Sequence, residues 1–182
     1  MTKDRAGLAG LMALLRAAHA EHRHRLELWD CDVPAGAELS RIPAGTPVGV
    51  ADLLAASDGV YLNHSTRLFA ADELDGQQFS EGLVGAELPG GAPLDDASRF
   101  HFFGRARGNP LLVDRDGSVW RVPDDGFVWY TGCRLERLTN DVVTFFTDWV
   151  AAPGFRDLAG LGPEDLATSH WYRLLRLTAL AP

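Results

Sequence analysis

Four short segments rich in β-branched and aromatic residues, separated by turn dipeptides, constrain the fold more than any other feature of this sequence. The dipeptides Asp116-Gly117 and Asp125-Gly126 are typical of two-residue hairpin turns, whose positive φ angles match the twist of the flanking strands. The pattern therefore predicts an antiparallel β-meander. Its four strands are expected at Arg99 to Gly104, Asn109 to Asp114, Ser118 to Val122 and Phe127 to Thr131.

Helical patterns lie on both sides of these strands. Apolar residues at helical spacing predict an amphipathic helix from about Arg5 to Glu27 and a short helix that ends before Asp58-Gly59. Beyond the meander, an apolar stripe from Val142 to Val150 predicts a third helix, and Gly162-Pro163 opens a last one. Helices before and after an antiparallel sheet indicate an α+β fold with the helices packed on one face of the meander.

The length and composition predict one soluble domain over residues 1–182. The chain is 46% apolar and 23% charged, and a chain of this length can bury a core without disulfides or a metal. No run approaches the roughly 18 apolar residues of a membrane span. The run from Gly7 to Leu15 carries a helical stripe, which favours a folded helix over a signal peptide. Cys31 and Cys133 belong to no paired motif, so we expect reduced thiols in a cytoplasmic protein.

The negative charge is concentrated in one segment. The net charge is −8, and the stretch from Leu68 to Ser98, which has seven acidic residues and no Lys or Arg, carries −7 of it. This balance argues against a nucleic-acid partner, whose phosphates need Lys and Arg. The segment is also rich in Gly and Pro, so it is interpreted either as a solvated loop or as a partner-binding surface. The candidate contact residues are Asp72, Glu73, Asp75, Asp95 and Asp96.

The titratable residues form no catalytic or metal-binding motif. The densest cluster is His19, Glu21, His22 and His24. It is interpreted as the partly exposed basic end of a helix, because the remaining ligands of a zinc site are missing. Asp114-x-Asp116-Gly117 lacks the other ligands of a calcium loop, and Gly104 to Asn109 lacks the Lys and helix of a phosphate loop. The sequence therefore predicts no catalytic residue, no metal and no cofactor.

Several motifs follow one another in an order that resembles a known family. They are the helix end Leu53 to Gly59, the strand and acidic turn Leu68 to Leu74, the stretch Phe103 to Trp120 with its Gly-rich turn, and the closing helix Leu138 to Val150. Together they resemble the SUKH superfamily, which includes yeast cell-wall-assembly regulators and many bacterial immunity proteins. The resemblance covers residues 48–150, and a helical extension is expected at 154–182.

The resemblance implies a non-enzymatic binding domain, most often an immunity protein that neutralises a polymorphic toxin by covering it. Many such toxins are nucleases with basic surfaces, and an acidic inhibitor gains association rate by electrostatic steering. We therefore expect a basic toxin domain as the protein partner, no nucleic-acid or membrane partner, and a monomer or weak dimer. A housekeeping adaptor of the same fold would share these features. A small metal- or cysteine-dependent enzyme is the third alternative, and histidines and acids converging in one pocket would indicate it.

Overall fold

The chain forms an open antiparallel sheet in which each strand pairs with the next one along the sequence. The computed structural model describes residues 5–78, 80–83, 85–123 and 132–181. Its strands are β1 (Val60–Asn63), β2 (Thr66–Leu68), β3 (Phe100–Ala106), β4 (Asn109–Asp114), β5 (Val119–Arg121) and β6 (Glu136–Thr139), in that order. The predicted α+β meander is confirmed. The expected strand Phe127 to Thr131 and the Asp125-Gly126 turn lie outside the described residues.

Most of the helices precede or follow the sheet, as the sequence predicts. They are α1 (Arg5–His22), α2 (Val48–Ala56), α3 (Leu74–Gln77), α4 (Val142–Phe145), α5 (Phe155–Ala159), α6 (Pro163–Thr168) and α7 (His170–Leu177). Short 3₁₀ turns lie at Leu39–Arg41, Ser80–Leu83 and Ala97–Arg99, and α4 continues into a π-helical turn at Phe146–Val150. Among the described helices, none combines the length and apolar character needed to span a membrane.

Two of the predicted helices have the wrong bounds. The first ends at His22 and not near Glu27, because the chain leaves the helix through turns that place Glu27 at a φ of 52°. The last predicted helix is two helices, α6 and α7. Ser169 between them is extended, with ψ of 122°, and its hydroxyl accepts the backbone N–H of Tyr172, which caps the start of α7.

The turn after β4 has three residues rather than the predicted two. The backbone N–H of Asp114 donates to Ser118 and that of Gly117 donates to Asp114, so residues 115–117 form the loop. Gly117 takes a φ of 88°, and this confirms the expected positive angle. The Asp114 carboxylate stabilises the loop by accepting the backbone N–H groups of Asp116 and Ser118.

The helices pack on one face of the sheet around the main core. Alternate residues of the central strands, such as Leu111 and Val113 of β4, point into this core and are fully buried. The C-terminal helices α5 and α7 contribute to the same core, and the Trp171 indole N–H donates to the Val150 carbonyl at 2.8 Å. The largest fully buried side chains in the core are Trp171, Phe103, Phe145, Phe146 and Phe155.

The opposite face of the sheet is covered in part by the acidic segment. Leu83 and Ala86 of this segment are buried against strand residues that alternate with those of the main core. We call this smaller group the second core, and its buried members are Leu83, Ala86, Phe100, Phe102, Leu112, Trp120, Val122 and Leu135. The Trp120 indole N–H donates to the Asp114 carboxylate at 2.9 Å. The acidic segment is therefore a packed part of the fold that keeps charged side chains on its outer surface.

Candidate functional site

The five acidic residues predicted to contact a partner fall into two groups. Asp72 and Glu73 lie between β2 and α3 and Asp75 lies in the first turn of α3, whereas Asp95 and Asp96 precede the 3₁₀ turn that leads into β3. All except Glu73 are exposed. The two groups are held by different residues of the fold.

Two arginines, Arg67 and Arg41, compensate two members of the first group, Glu73 and Asp72. One Glu73 oxygen lies 2.9 Å from Nη1 of Arg67, and the other accepts the backbone N–H of Ala70. Asp72 lies 3.8 Å from Arg41, which also contacts Asp58 at 3.2 Å. Glu73 is therefore engaged inside the fold, while Asp72 keeps a weaker partner and most of its exposure.

In the second group, hydrogen bonds and a nearby arginine compensate the charge of Asp96. Its carboxylate accepts hydrogen bonds from the hydroxyl and backbone N–H of Ser98 and lies 3.7 Å from Arg115. These hydrogen bonds, and then the nearby arginines, lower the pKa of Asp96, so the group stays ionised well into the acidic range. Glu87 likewise pairs with Arg134 at 2.9 Å. The charge of −7 counted along the segment therefore overstates the field that a partner would meet.

A row of residues that the sequence analysis did not identify lies beside the first group. Tyr61, Arg67 and Arg105 face one another across β1, β2 and β3. We call them the arginine row. Arg67 donates to the Tyr61 hydroxyl, and the guanidinium carbons of both arginines lie over the Phe69 ring, at 5.3 and 5.7 Å from its centre. Only the strand register brings these residues together.

Two cavities adjoin the arginine row. One has a volume of about 420 Å³ and lies between α3 and the end of β3. The other, of about 230 Å³, lies beside His64 and the turn that joins β1 to β2. Arg105 and Gly108 line both cavities, so the Arg105 guanidinium is accessible from either side.

The side chain of Gln78 fixes the wall of the larger cavity. Its carboxamide donates to the Phe102 carbonyl at 2.9 Å and accepts the Phe102 backbone N–H at 3.0 Å. The same carboxamide lies 3.5 Å from the His101 ring, whose pKa is lowered by burial, an effect that the nearby Asp75 opposes. The position of α3 against β3 is therefore set by hydrogen bonds as well as by the buried Leu74.

The cysteine and histidine residues near the N-terminal helix have structural positions. Burial, together with the nearby Asp32 and Asp30, raises the pKa of Cys31 to about 12, so its thiol stays protonated and is a poor nucleophile. The histidine cluster is partly exposed, with Glu21 and His24 at the surface and His19 on the buried side of the helix. His19 is buried, with Nε2 3.2 Å from the Leu28 carbonyl and Nδ1 3.5 Å from Asp32. Within the part of the chain that the structure describes, no three His, Cys, Asp or Glu side chains are arranged to hold a metal ion.

Comparison of the chain with protein-family models, curated proteins and solved structures finds no match. The function is therefore inferred from the chemistry and geometry of the chain itself.

Proposed function

We propose that this chain is a non-enzymatic protein-binding domain, an immunity protein of the SUKH type that neutralises a bacterial toxin in the cytoplasm by covering its basic surface. The observation that carries the proposal is the presentation of exposed carboxylates from a backbone that is fixed by packing. The order of motifs shared with the SUKH superfamily supports the class of partner.

The backbone around the proposed contact residues is anchored on both sides of each group. Leu74, between Asp72 and Asp75, is fully buried, and Gln78 binds the β3 backbone. Leu94, next to Asp95, donates its backbone N–H to Ala86 of the second core. A fixed backbone loses little conformational freedom on binding, which favours recognition of a partner surface.

The proposed contacts are Asp72, Asp75, Asp95 and Asp96, with Glu73 behind them as the carboxylate that holds Arg67. Exposed charges at the rim of an interface act mainly on the association rate and on its salt dependence. An acidic surface would therefore speed the encounter with a basic toxin domain more than it would slow dissociation. We therefore expect these residues to act mainly on the association rate constant.

The test uses a fourfold variant, D72N/D75N/D95N/D96N, which leaves the ion pair of Glu73 intact. Its matched control, E21Q/E27Q/E38Q/E164Q, removes the same charge at four other exposed positions. With the toxin encoded by the neighbouring gene, we expect the fourfold variant to associate about tenfold more slowly at low salt and to protect cells less. The control should associate nearly as fast as the wild type.

Three outcomes would contradict the proposal. Equal slowing of both variants would mean that only net charge matters. Full protection and an unchanged association rate in the fourfold variant would assign these carboxylates to solvation. If the neighbouring gene encodes no toxin and affinity capture returns a housekeeping protein instead, the chain is an adaptor.

A further inference from the structure

Two like charges face each other at the centre of the arginine row. Arg67 and Arg105 are directly opposite on the antiparallel pair of β2 and β3, an arrangement that destabilises a sheet. Glu73 compensates Arg67 at 2.9 Å. Arg105 donates to the Gln77 amide oxygen at 2.6 Å, and no carboxylate of the described residues lies within ion-pair distance of it. Among the residues that the structure describes, one formal positive charge is therefore left without a carboxylate partner at this point of an acidic protein.

The larger cavity offers a lining suited to an organic molecule beside this charge. Its apolar surface comes from Phe69, Phe102 and Pro110, and its polar groups from Gln77 and Gln78. Gly76 and Gly108 on its border have no atom within 4 Å of the place that a Cβ would take, so space remains open there. A volume of about 420 Å³ lies within the range of small-molecule sites, roughly 300 to 1,000 Å³.

We propose that this cavity binds a small organic carboxylate, with the carboxylate on Arg105 and the rest of the ligand against Phe69 and Pro110. The charge balance selects the ligand class. Two guanidinium groups and the Glu73 carboxylate leave a charge of one, which a monoanion neutralises, and the further negative charge of Asp75, next to the lining residue Gly76, disfavours a phosphate monoester. A guanidinium also matches the two oxygens of a carboxylate. The site does not depend on the proposed function.

The carboxylate bound by this cavity belongs either to a free organic acid or to a Glu side chain of another protein. Calorimetric titration of the full chain therefore uses benzoate and the blocked tripeptide acetyl-Ala-Glu-Ala-amide, with benzamide as the uncharged analogue and inorganic phosphate as the alternative anion. We expect saturable binding of the carboxylates and at least tenfold weaker binding of benzamide and phosphate. Tighter binding of benzoate assigns the site to a free acid, and tighter binding of the tripeptide assigns it to a protein side chain.

Two variants, R105Q and R115Q, each remove one positive charge, the first inside the proposed site and the second outside it. R105Q should weaken carboxylate binding at least tenfold. R115Q, which changes an arginine with a 70% exposed side chain near the β4–β5 turn, should leave it within twofold. Without ligand, R105Q should keep or raise the thermal midpoint, because it removes the repulsion with Arg67. A structural role for Arg105 would lower the midpoint instead.

Amide chemical shifts locate the site. Benzoate should shift the resonances of Gly104 and Gly108, which line the cavity, in the wild type and not in R105Q. The proposal is overturned if neither carboxylate binds saturably, if R105Q and R115Q weaken binding equally, or if phosphate binds more tightly than both carboxylates.

Discussion

The two faces of the sheet are covered in different ways. On one face, helices from both ends of the chain pack around fully buried aromatic side chains. On the other face, the acidic segment, which contains the one-turn helix α3 and short 3₁₀ turns, covers the smaller second core and leaves the arginine row open. The large buried core and the charged surface groups thus lie on different faces of the sheet. We therefore expect the main core to dominate the free energy of unfolding and the second core, which has fewer buried residues, to open at a lower free energy.

The largest effect should come from emptying the main core. Trp171→Ala should lower the free energy of unfolding by about 3–5 kcal/mol, because it opens a large cavity and removes the hydrogen bond to Val150. Trp29→Ala is the matched control, since that side chain is 51% exposed, and it should cost about 0.5 kcal/mol or less. Denaturant unfolding measures both. Equal losses would mean that the main core does not dominate stability.

A cavity in the second core should act more locally. Leu83→Ala should cost about 2 kcal/mol, at the low end for a buried Leu, because the irregular segment can close around the gap. Hydrogen exchange should accelerate at the Leu94 amide, which bonds to Ala86, and stay slow at the Leu174 amide in α7. Parallel acceleration at both amides would show that the two faces unfold as one unit.

The turn at Gly117 links the two faces, because β4 before it carries residues of both cores. Gly117→Val should cost about 1–3 kcal/mol through the positive φ alone, since nothing lies within 4 Å of the added Cβ. Gly117→Asn should cost less, because Asn tolerates this conformation. Thermal unfolding compares the pair, and an unchanged midpoint for Gly117→Val would contradict the strain. Amide exchange should rise on both faces.

The smallest effect should be a pH dependence on the helix-covered side. His101 alternates with Phe100 and Phe102 of the second core, and burial lowers its pKa from the ordinary 6.5. The unfolded chain then binds a proton before the folded one does, so stability is lost as the pH falls below 6.5. His101→Gln should reduce the fall in thermal midpoint between about pH 7.5 and about pH 5.5. Asp75→Asn, which removes the opposing charge, should enlarge it, and a smaller fall would contradict this assignment.

Local patterns in the sequence predict the strands well and the covering of the second face poorly. β4 has the predicted bounds, because Gly108-Asn109 and Asp114 to Gly117 give clear turn signals at both ends. The buried residues of the acidic segment, such as Leu83 and Ala86, follow neither helical nor strand spacing, so their packing depends on tertiary contacts. The break between α6 and α7 depends on one capping Ser inside a continuous apolar stripe.

Local sequence patterns also fail to predict the contacts made at the candidate site. The acidic residues stand out in the sequence because they are neighbours along the chain. Some of their arginine partners come from elsewhere in the chain, as Arg41 and Arg115 show, and composition cannot reveal such pairs. The arginine row depends on the register of three strands. A shift of one residue in that register would separate its members.

The hydrogen bonds of Gln78 also affect how this protein behaves at high concentration. β2 pairs with β3 at Gly104 and Arg105, and beyond this end the Gln78 side chain lies against the backbone of Phe102. A carboxamide has the same donor and acceptor as a peptide group, and Gln78 uses both on Phe102. Unpaired edges recruit strands from other molecules and start aggregation. Because Gln78 already occupies the N–H and C=O of Phe102, a strand from another molecule cannot pair at this position without displacing that side chain.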